Sequence, residues 1–161
     1  MGLSIAGMHH VAIPVPNLDA SEEWYCRVLN GTVAVRTGVG GADVRAQRTR
    51  QVWIQVGTGI INLAEGPKVI RPDGMHFFHY AMTGQAADLE PWMHHLEAND
   101  VKVLGPYGHG GAGGLSLYFD DPDGYRLEIV FELGDYETAK ATAIALGGAL
   151  GNPDAPYDWD Q

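Results

Sequence analysis

Apolar and polar positions run through the same order twice along this chain. From Met8, the stretch MHHVAIPV alternates as a strand with one buried face does. In the next stretch, NLDASEEWYCRVLNG, Trp24, Tyr25, Val28 and Leu29 lie at the spacing of one helical face. They predict a helix over residues 18–29. Asp19 or Ser21 is the candidate N-cap, Glu22 and Glu23 suit the first turn, and Asn30-Gly31 is a stop signal. Three short strand-like runs follow, at 32–36, 51–56 and 60–64, with Gly57-Thr58-Gly59 as a turn between the last two. From Phe77 the order recurs. FFHYAMTG reads as a strand, Leu89, Trp92, Met93 and Leu96 form the stripe of a helix over 87–98, and strand-like runs come at 101–104, 115–119 and 126–132.

The pattern is therefore β-α-β-β-β, twice, which predicts an α+β domain over residues 1–135 built of paired modules at 8–65 and 75–132. The Pro- and Gly-rich stretch 65–74 reads as a crossover between them. Residues 136–161 stand outside the repeat, as an Ala-rich, helix-prone segment followed by an acidic, proline-broken tail.

Composition narrows the function classes. The chain has 161 residues, 45% of them apolar, enough for a real core without disulfides. No apolar run approaches the ~20 residues of a membrane-spanning helix, and the start lacks the basic-then-apolar order of a signal peptide. A lone cysteine, Cys26, suits a reducing cytoplasm. The net charge of −10 argues against nucleic acid and anionic membrane as partners and leaves a small molecule. Arg36, Arg45, Arg48 and Arg50 cluster against one acid, Asp43. That segment reads either as a solvated hairpin or as a basic rim that draws in a carboxylate-bearing substrate.

Candidate chemistry lies at matching places in the two halves. His10-Val11-Ala12 opens the first module and His79-Tyr80-Ala81 the second, and Glu128 sits mid-strand in the last run among Leu127, Ile129 and Val130. Two imidazoles and one carboxylate are the donor set of a facial metal site with open positions. Strand parity puts Val11, Ile13 and Val15 toward the helix and His10 on the opposite face. The same test in the second module favours His79 over His76 as the second ligand, with His76 the alternate. Glu128 has a competing reading, an exposed polar face shared with Arg126 and Glu132. His9, His94 and His95 read as surface or structural groups, His9 because it should face away from its neighbour. Asp121-Pro122-Asp123-Gly124 reads as a tight turn.

HHVAIPVPNLDASEEWYCRVLNG and LYFDDPDGYRLEI resemble the vicinal oxygen chelate superfamily, which includes glyoxalase I, bleomycin-resistance proteins, fosfomycin-resistance enzymes and extradiol dioxygenases. The resemblance spans about residues 8–132 and implies paired βαβββ modules forming a U-shaped, barrel-like sheet around one metal. GHGGAGGLSLYFDDPDGYRLE is similar to the C-terminal signature of type I extradiol dioxygenases. That likeness implies a catechol-like substrate, O2 chemistry and Fe(II) held by His10, His79 and Glu128, with Tyr118 and His109 as catalytic groups beside the bound oxygens. It also implies a substrate-side role for Asn62, where ring-cleaving relatives carry an acid–base histidine, and a homodimeric assembly. Two other readings stay open within the superfamily. One is a non-oxidative isomerase, lyase or transferase of glyoxalase or fosfomycin-resistance type using Mn, Zn or Ni, with Ser116 at a substrate-binding position. The other is a metal-free antibiotic-binding protein.

Overall fold

The computed structural model describes residues 7–69, 78–109 and 113–150, with His109, Ala149 and Leu150 described as backbone only. It divides into two compact units, Met1–Ile70 and Arg71–Gln161.

The first unit runs β1 (Val11–Val15), α1 (Leu18–Val28), β2 (Thr32–Thr37), α2 (Gly41–Arg45), β3 (Gln51–Val56) and β4 (Gly59–Glu65). Its sheet has the order β1-β4-β3-β2, with β1 parallel to β4 and the other pairs antiparallel. Alternation sends Ile13, Val15, Val52, Ile54, Ile61 and Leu63 to one face, where they are buried with Leu18, Trp24, Tyr25, Val28 and Leu29 around α1. Neither predicted residue caps α1. Asn17 does, its side-chain oxygen accepting from the Ala20 N–H at 3.1 Å. Ser21 instead donates its hydroxyl to the Asn17 carbonyl. The helix ends where expected: Asn30 takes φ 51°, and Gly31 lets the chain pass where an added Cβ would meet Ile54 Cγ2 at 2.5 Å.

The second unit repeats the plan with β5 (Tyr80–Gly84), a 3-10 turn (Ala86–Asp88), α3 (Leu89–Ala98), β6 (Leu104–His109), β7 (Gly114–Asp120) and β8 (Arg126–Glu132). It then adds α4 (Tyr136–Ala145) and β9 (Ala149–Leu150). Its sheet has the order β5-β8-β7-β6-β9, the first four strands reproducing the topology of the first unit. Leu115, Leu117, Phe119, Leu127, Ile129 and Phe131 are buried on one face. Both the α+β class and the paired βαβββ modules hold.

The strand expected at 101–104 lies elsewhere. Asp100 takes φ 57° and the Val101 N–H closes α3 by donating to the Leu96 carbonyl at 3.0 Å, so the strand starts only at Leu104. The β6–β7 register shifts between Leu104 and Tyr107, which gives Pro106, with no N–H to donate, an unladdered place. The predicted acidic tail, 152–161, and the crossover residues 70–74 lie outside the described residues.

Candidate metal centre

The β7–β8 hairpin is set by its turn. Asp121 accepts from the N–H groups of Asp123 at 2.9 Å and Tyr125 at 2.8 Å, and Gly124 takes φ 85°. That closure places Tyr118 directly opposite Glu128 and Ser116 opposite Val130, while Ala81 of β5 flanks Glu128 on its other side. Ser116, Tyr118, Ala81 and Glu128 therefore share one face of the sheet, the face away from the apolar core.

His79 stands one residue before β5 and reaches that face. Its Nε2 lies 2.7 Å from Glu128 Oε2, with the Glu128 side chain 6% exposed and the His79 ring 25% exposed. The exposed-face reading of Glu128 is thus wrong, and the carboxylate is buried with an imidazole against it. An isolated carboxylate among apolar neighbours is costly; a close imidazole, a cation or a metal offsets that cost. The Tyr118 ring meets His79 edge-on at 5.7 Å, and Tyr107 lies 6.3 Å from Tyr118. Arg126 is also buried, but its guanidinium donates to Asp120 at 2.5 and 3.2 Å, so its charge is held at the hairpin's end.

The first unit carries the corresponding positions. Ala12 pairs with Asn62 as Ala81 pairs with Glu128, and Trp53 lies opposite Asn62 as Tyr118 lies opposite Glu128. His10 stands one residue before β1, as His79 does before β5, and its ring lies 4.7 Å from Trp53. Asn62 donates to Gln51 Oε1 at 3.1 Å. Among the described residues, two buried side-chain atoms find no hydrogen-bond partner, Asn62 Oδ1 and Ser116 Oγ. Both were singled out from sequence as substrate-facing, and a buried polar atom without a protein partner is the exception in folded proteins, met where strain, a water, an ion or a ligand accounts for it.

The structure thus brings His79, Glu128, Tyr118 and Ser116 to one face of the second sheet, and His10 and Asn62 to the matching positions of the first unit. His76 lies outside the described residues. His109 ends β6 opposite Gly114, and its side chain is likewise outside them. Among the described residues, no group of three or more His, Cys, Asp or Glu side chains forms a ready metal cluster.

Sequence reasoning missed His9. Its Nδ1 lies 2.9 Å from His10 Nδ1, and its ring meets Trp53 edge-on at 6.2 Å, so it does not face away. The basic segment is not a free rim either. Arg36 is ion-paired with Glu22, Arg48 with Asp43 at 3.0 Å, and Arg50 with Asp19 at 2.5 Å and Glu65 at 3.1 Å. The carboxylates raise the pKa values of Arg36 and Arg50 further above their already high values. Burial first, and then the Glu22 charge, raises the Cys26 thiol pKa, so Cys26 is no activated thiolate.

A family model described as the Glyoxalase/Bleomycin resistance protein/Dioxygenase superfamily matches residues 7–129. The chain belongs to this superfamily. Among its curated members, the metallothiol transferase FosB of Staphylococcus haemolyticus (strain JCSC1435) is 27% identical over 126 residues, covering 78% of this chain and 83% of the relative. The glutathione transferase FosA of Serratia marcescens is 25% identical over 125 residues, covering 78% of this chain and 80% of that protein. Among solved structures, an integron cassette protein from the mobile metagenome of the Halifax Harbour sewage outfall aligns with TM-score 0.62 and 27% identity, over 79% of this chain and 99% of that one. A mutant of the fosfomycin resistance protein FosX from Listeria monocytogenes, complexed with Mn(II) and a dihydroxypropylphosphonic acid, aligns with TM-score 0.67 and 18% identity, over 84% and 97%. At that identity it speaks to the fold alone.

These superfamily members correct one expectation. The curated relatives are thiol transferases, not ring-cleaving dioxygenases, so the extradiol reading with O2 and a catechol is overturned. The choice of Fe(II) rested on that reading and loses its support with it. The spacing of His109, Tyr118 and Glu128 suggested it, but most of that spacing follows from the hairpin turn, which fixes Tyr118 against Glu128 whatever the chemistry.

Proposed function

We propose that this chain is a divalent-metal-dependent enzyme that adds an external nucleophile, a thiol, to a small oxygen-bearing electrophile without oxidation. The buried pairing of His79 Nε2 with Glu128 Oε2 at 2.7 Å carries the reading. It is a nitrogen and an oxygen donor held together on the sheet face that also bears Ser116 Oγ without a partner. By donor type His79 and Glu128 suit a divalent metal and would hold it on the second sheet; His10, at the matching position of the first unit, keeps its place as the candidate second histidine of a two-histidine, one-carboxylate set. When bound, the metal supplies Lewis-acid polarisation of a substrate oxygen.

The remaining work falls to the protein's own side chains. Tyr118, packed edge-on against His79, presents a phenol able to donate to the oxygen that gains charge. Ser116 donates its hydroxyl to another substrate oxygen. Asn62, its amide braced by Gln51, offers a carboxamide oxygen to a substrate hydroxyl or N–H. His109, which the resemblance puts beside the bound oxygens, and His76, read from the sequence as an alternate ligand or substrate-binding group, keep those candidate roles, with the His109 side chain and all of His76 outside the described residues. Burial and Glu22 disfavour the Cys26 thiolate, so Cys26 gains no support as the nucleophile, and this reading assigns that role to an external thiol. The names of the transferase relatives support a thiol for that role. The lone cysteine suits a cytoplasmic enzyme, and no described helix is long and apolar enough to cross a membrane.

The test uses chelator-treated protein reloaded with Mn²⁺ and incubated with glutathione and either fosfomycin or an uncharged epoxide. Free thiol should fall only in the reloaded sample, with no oxygen uptake. Oxygen consumption, or thiol loss that persists without metal, would sink the proposal.

A further inference from the structure

His9 and His10 are adjacent and exposed, yet their Nδ1 atoms lie 2.9 Å apart and their rings meet edge-on at 5.1 Å. Both rings also rest on Trp53, His10 at 4.7 Å and His9 at 6.2 Å, so one indole supports the pair. A hydrogen bond between two neutral imidazoles needs one Nδ1–H and one Nδ1 lone pair, and the two choices differ in consequence. If His9 donates, His10 carries its proton on Nε2 and spends its only lone pair on His9, so neither nitrogen can ligate. If His10 donates, its Nε2 lone pair is free and points away from the contact.

We propose that His9 is a positioning residue that accepts a hydrogen bond from His10 Nδ1–H and so holds His10 in the tautomer whose Nε2 can bind metal. This rests on the reading of His10 as a ligand. His9 fills the place that a carboxylate or backbone carbonyl takes behind most metal-bound histidines, where such a partner fixes the tautomer and ring orientation. No proton is gained or lost in the arrangement; His9 keeps its own on Nε2 and turns it to solvent. Trp53 limits the tilt of both rings and keeps their Nδ1 atoms in line.

The pattern also distinguishes the two histidines. His79 uses its Nε2 toward Glu128, within its own sheet, whereas His10 has its Nδ1 engaged by its sequence neighbour. The first unit has an amide, Asn62, where the second has Glu128, so His10 has no carboxylate at the matching position. His9 is the group that takes up its second nitrogen.

The experiment reads the tautomer and the metal separately. In ¹⁵N-labelled, metal-free protein, imidazole nitrogen shifts report where His10 carries its proton; titration with Zn²⁺ then gives the affinity. His9→Leu removes the acceptor, and His9→Gln returns a side-chain oxygen to the same neighbourhood. The expected result is His10 protonated on Nδ1 in the wild type, a shift toward Nε2 in His9→Leu with Zn²⁺ binding weakened about tenfold, and partial return of both in His9→Gln. An unchanged His10 tautomer in His9→Leu, or a His9→Gln protein as weak as His9→Leu, would overturn the proposal. His10→Ala serves as the control for the reading beneath it: if that variant binds Zn²⁺ like wild type, His10 is no ligand, and that reading fails whatever the tautomer shows.

Discussion

At the residue scale, the polar groups on the two sheet faces are held at some cost to stability. Ser116 Oγ is fully buried and has no hydrogen-bond partner among the described residues, so its hydroxyl has given up water without a protein bond in exchange. Ser116→Ala should therefore raise the stability of the metal-free protein by about 1 kcal/mol. The same variant should raise KM for the oxygenated substrate. Chemical denaturation and steady-state kinetics together check this, and a destabilised variant with unchanged KM would show that the hydroxyl is structural. Glu128 and the two histidines were legible from sequence because they interrupt or precede apolar runs at repeated positions. His9 was not, for a physical reason. β1 begins at Val11, so the alternation of faces does not bind residues 9 and 10, and two adjacent rings can turn toward each other.

At the scale of elements, the misread boundaries came from competing local options. NLDAS offers three capping residues within five positions, and only the actual backbone turn selects Asn17. β6 carries Gly-Pro and Gly, which argue against a strand, yet its register shift absorbs them. Glycine is required within β5. A Cβ at Gly84 would meet the Phe131 ring at 2.4 Å, and that ring is fully buried with no room to swing. Gly84→Ala should cost about 1–3 kcal/mol in urea denaturation; a neutral result would mean that β5 shifts freely against β8. α4 depends on its cap. Asp135 accepts from the Thr138 N–H at 2.9 Å and hydroxyl at 2.8 Å, and these bonds lower its pKa below the ordinary 3.8. A lowered carboxylate pKa stabilises the folded form above that ordinary value and is lost as pH falls through the lower folded one. Amide-exchange protection in α4, taken relative to intrinsic rates, should accordingly fall at pH below about 4, and Asp135→Ala should lower it at pH 7 as well. Exchange insensitive to both changes would show that packing against β6 and β7 alone holds the helix.

At the scale of the whole molecule, the doubled β-α-β-β-β pattern decided the fold before any side chain was considered. The shared strand order, with β1-β4-β3-β2 matched by β5-β8-β7-β6, is the reason His10 and His79 occupy corresponding places. The chemistry was less legible. The same donors serve oxygen activation and thiol addition, since ligand type does not choose between reactions, and it was the relatives that redirected the reading. The charge of −10 argued against nucleic acid as a partner, and in the arginine segment Arg36, Arg48 and Arg50 are ion-paired, Arg48 with Asp43 inside the segment and the others with Glu22, Asp19 and Glu65 outside it.

The most direct test of the metal centre is calorimetric titration of Mn²⁺ into chelator-treated protein, wild type beside Glu128→Gln. Glutamine keeps the shape of the buried side chain and removes the anionic donor. One metal per chain in the wild type, with affinity at least ~100-fold weaker in the variant, is the expected result, a larger loss than that from removing an outer hydrogen-bond partner. Equal binding by the two proteins, or none by the wild type, would contradict a metal held through Glu128.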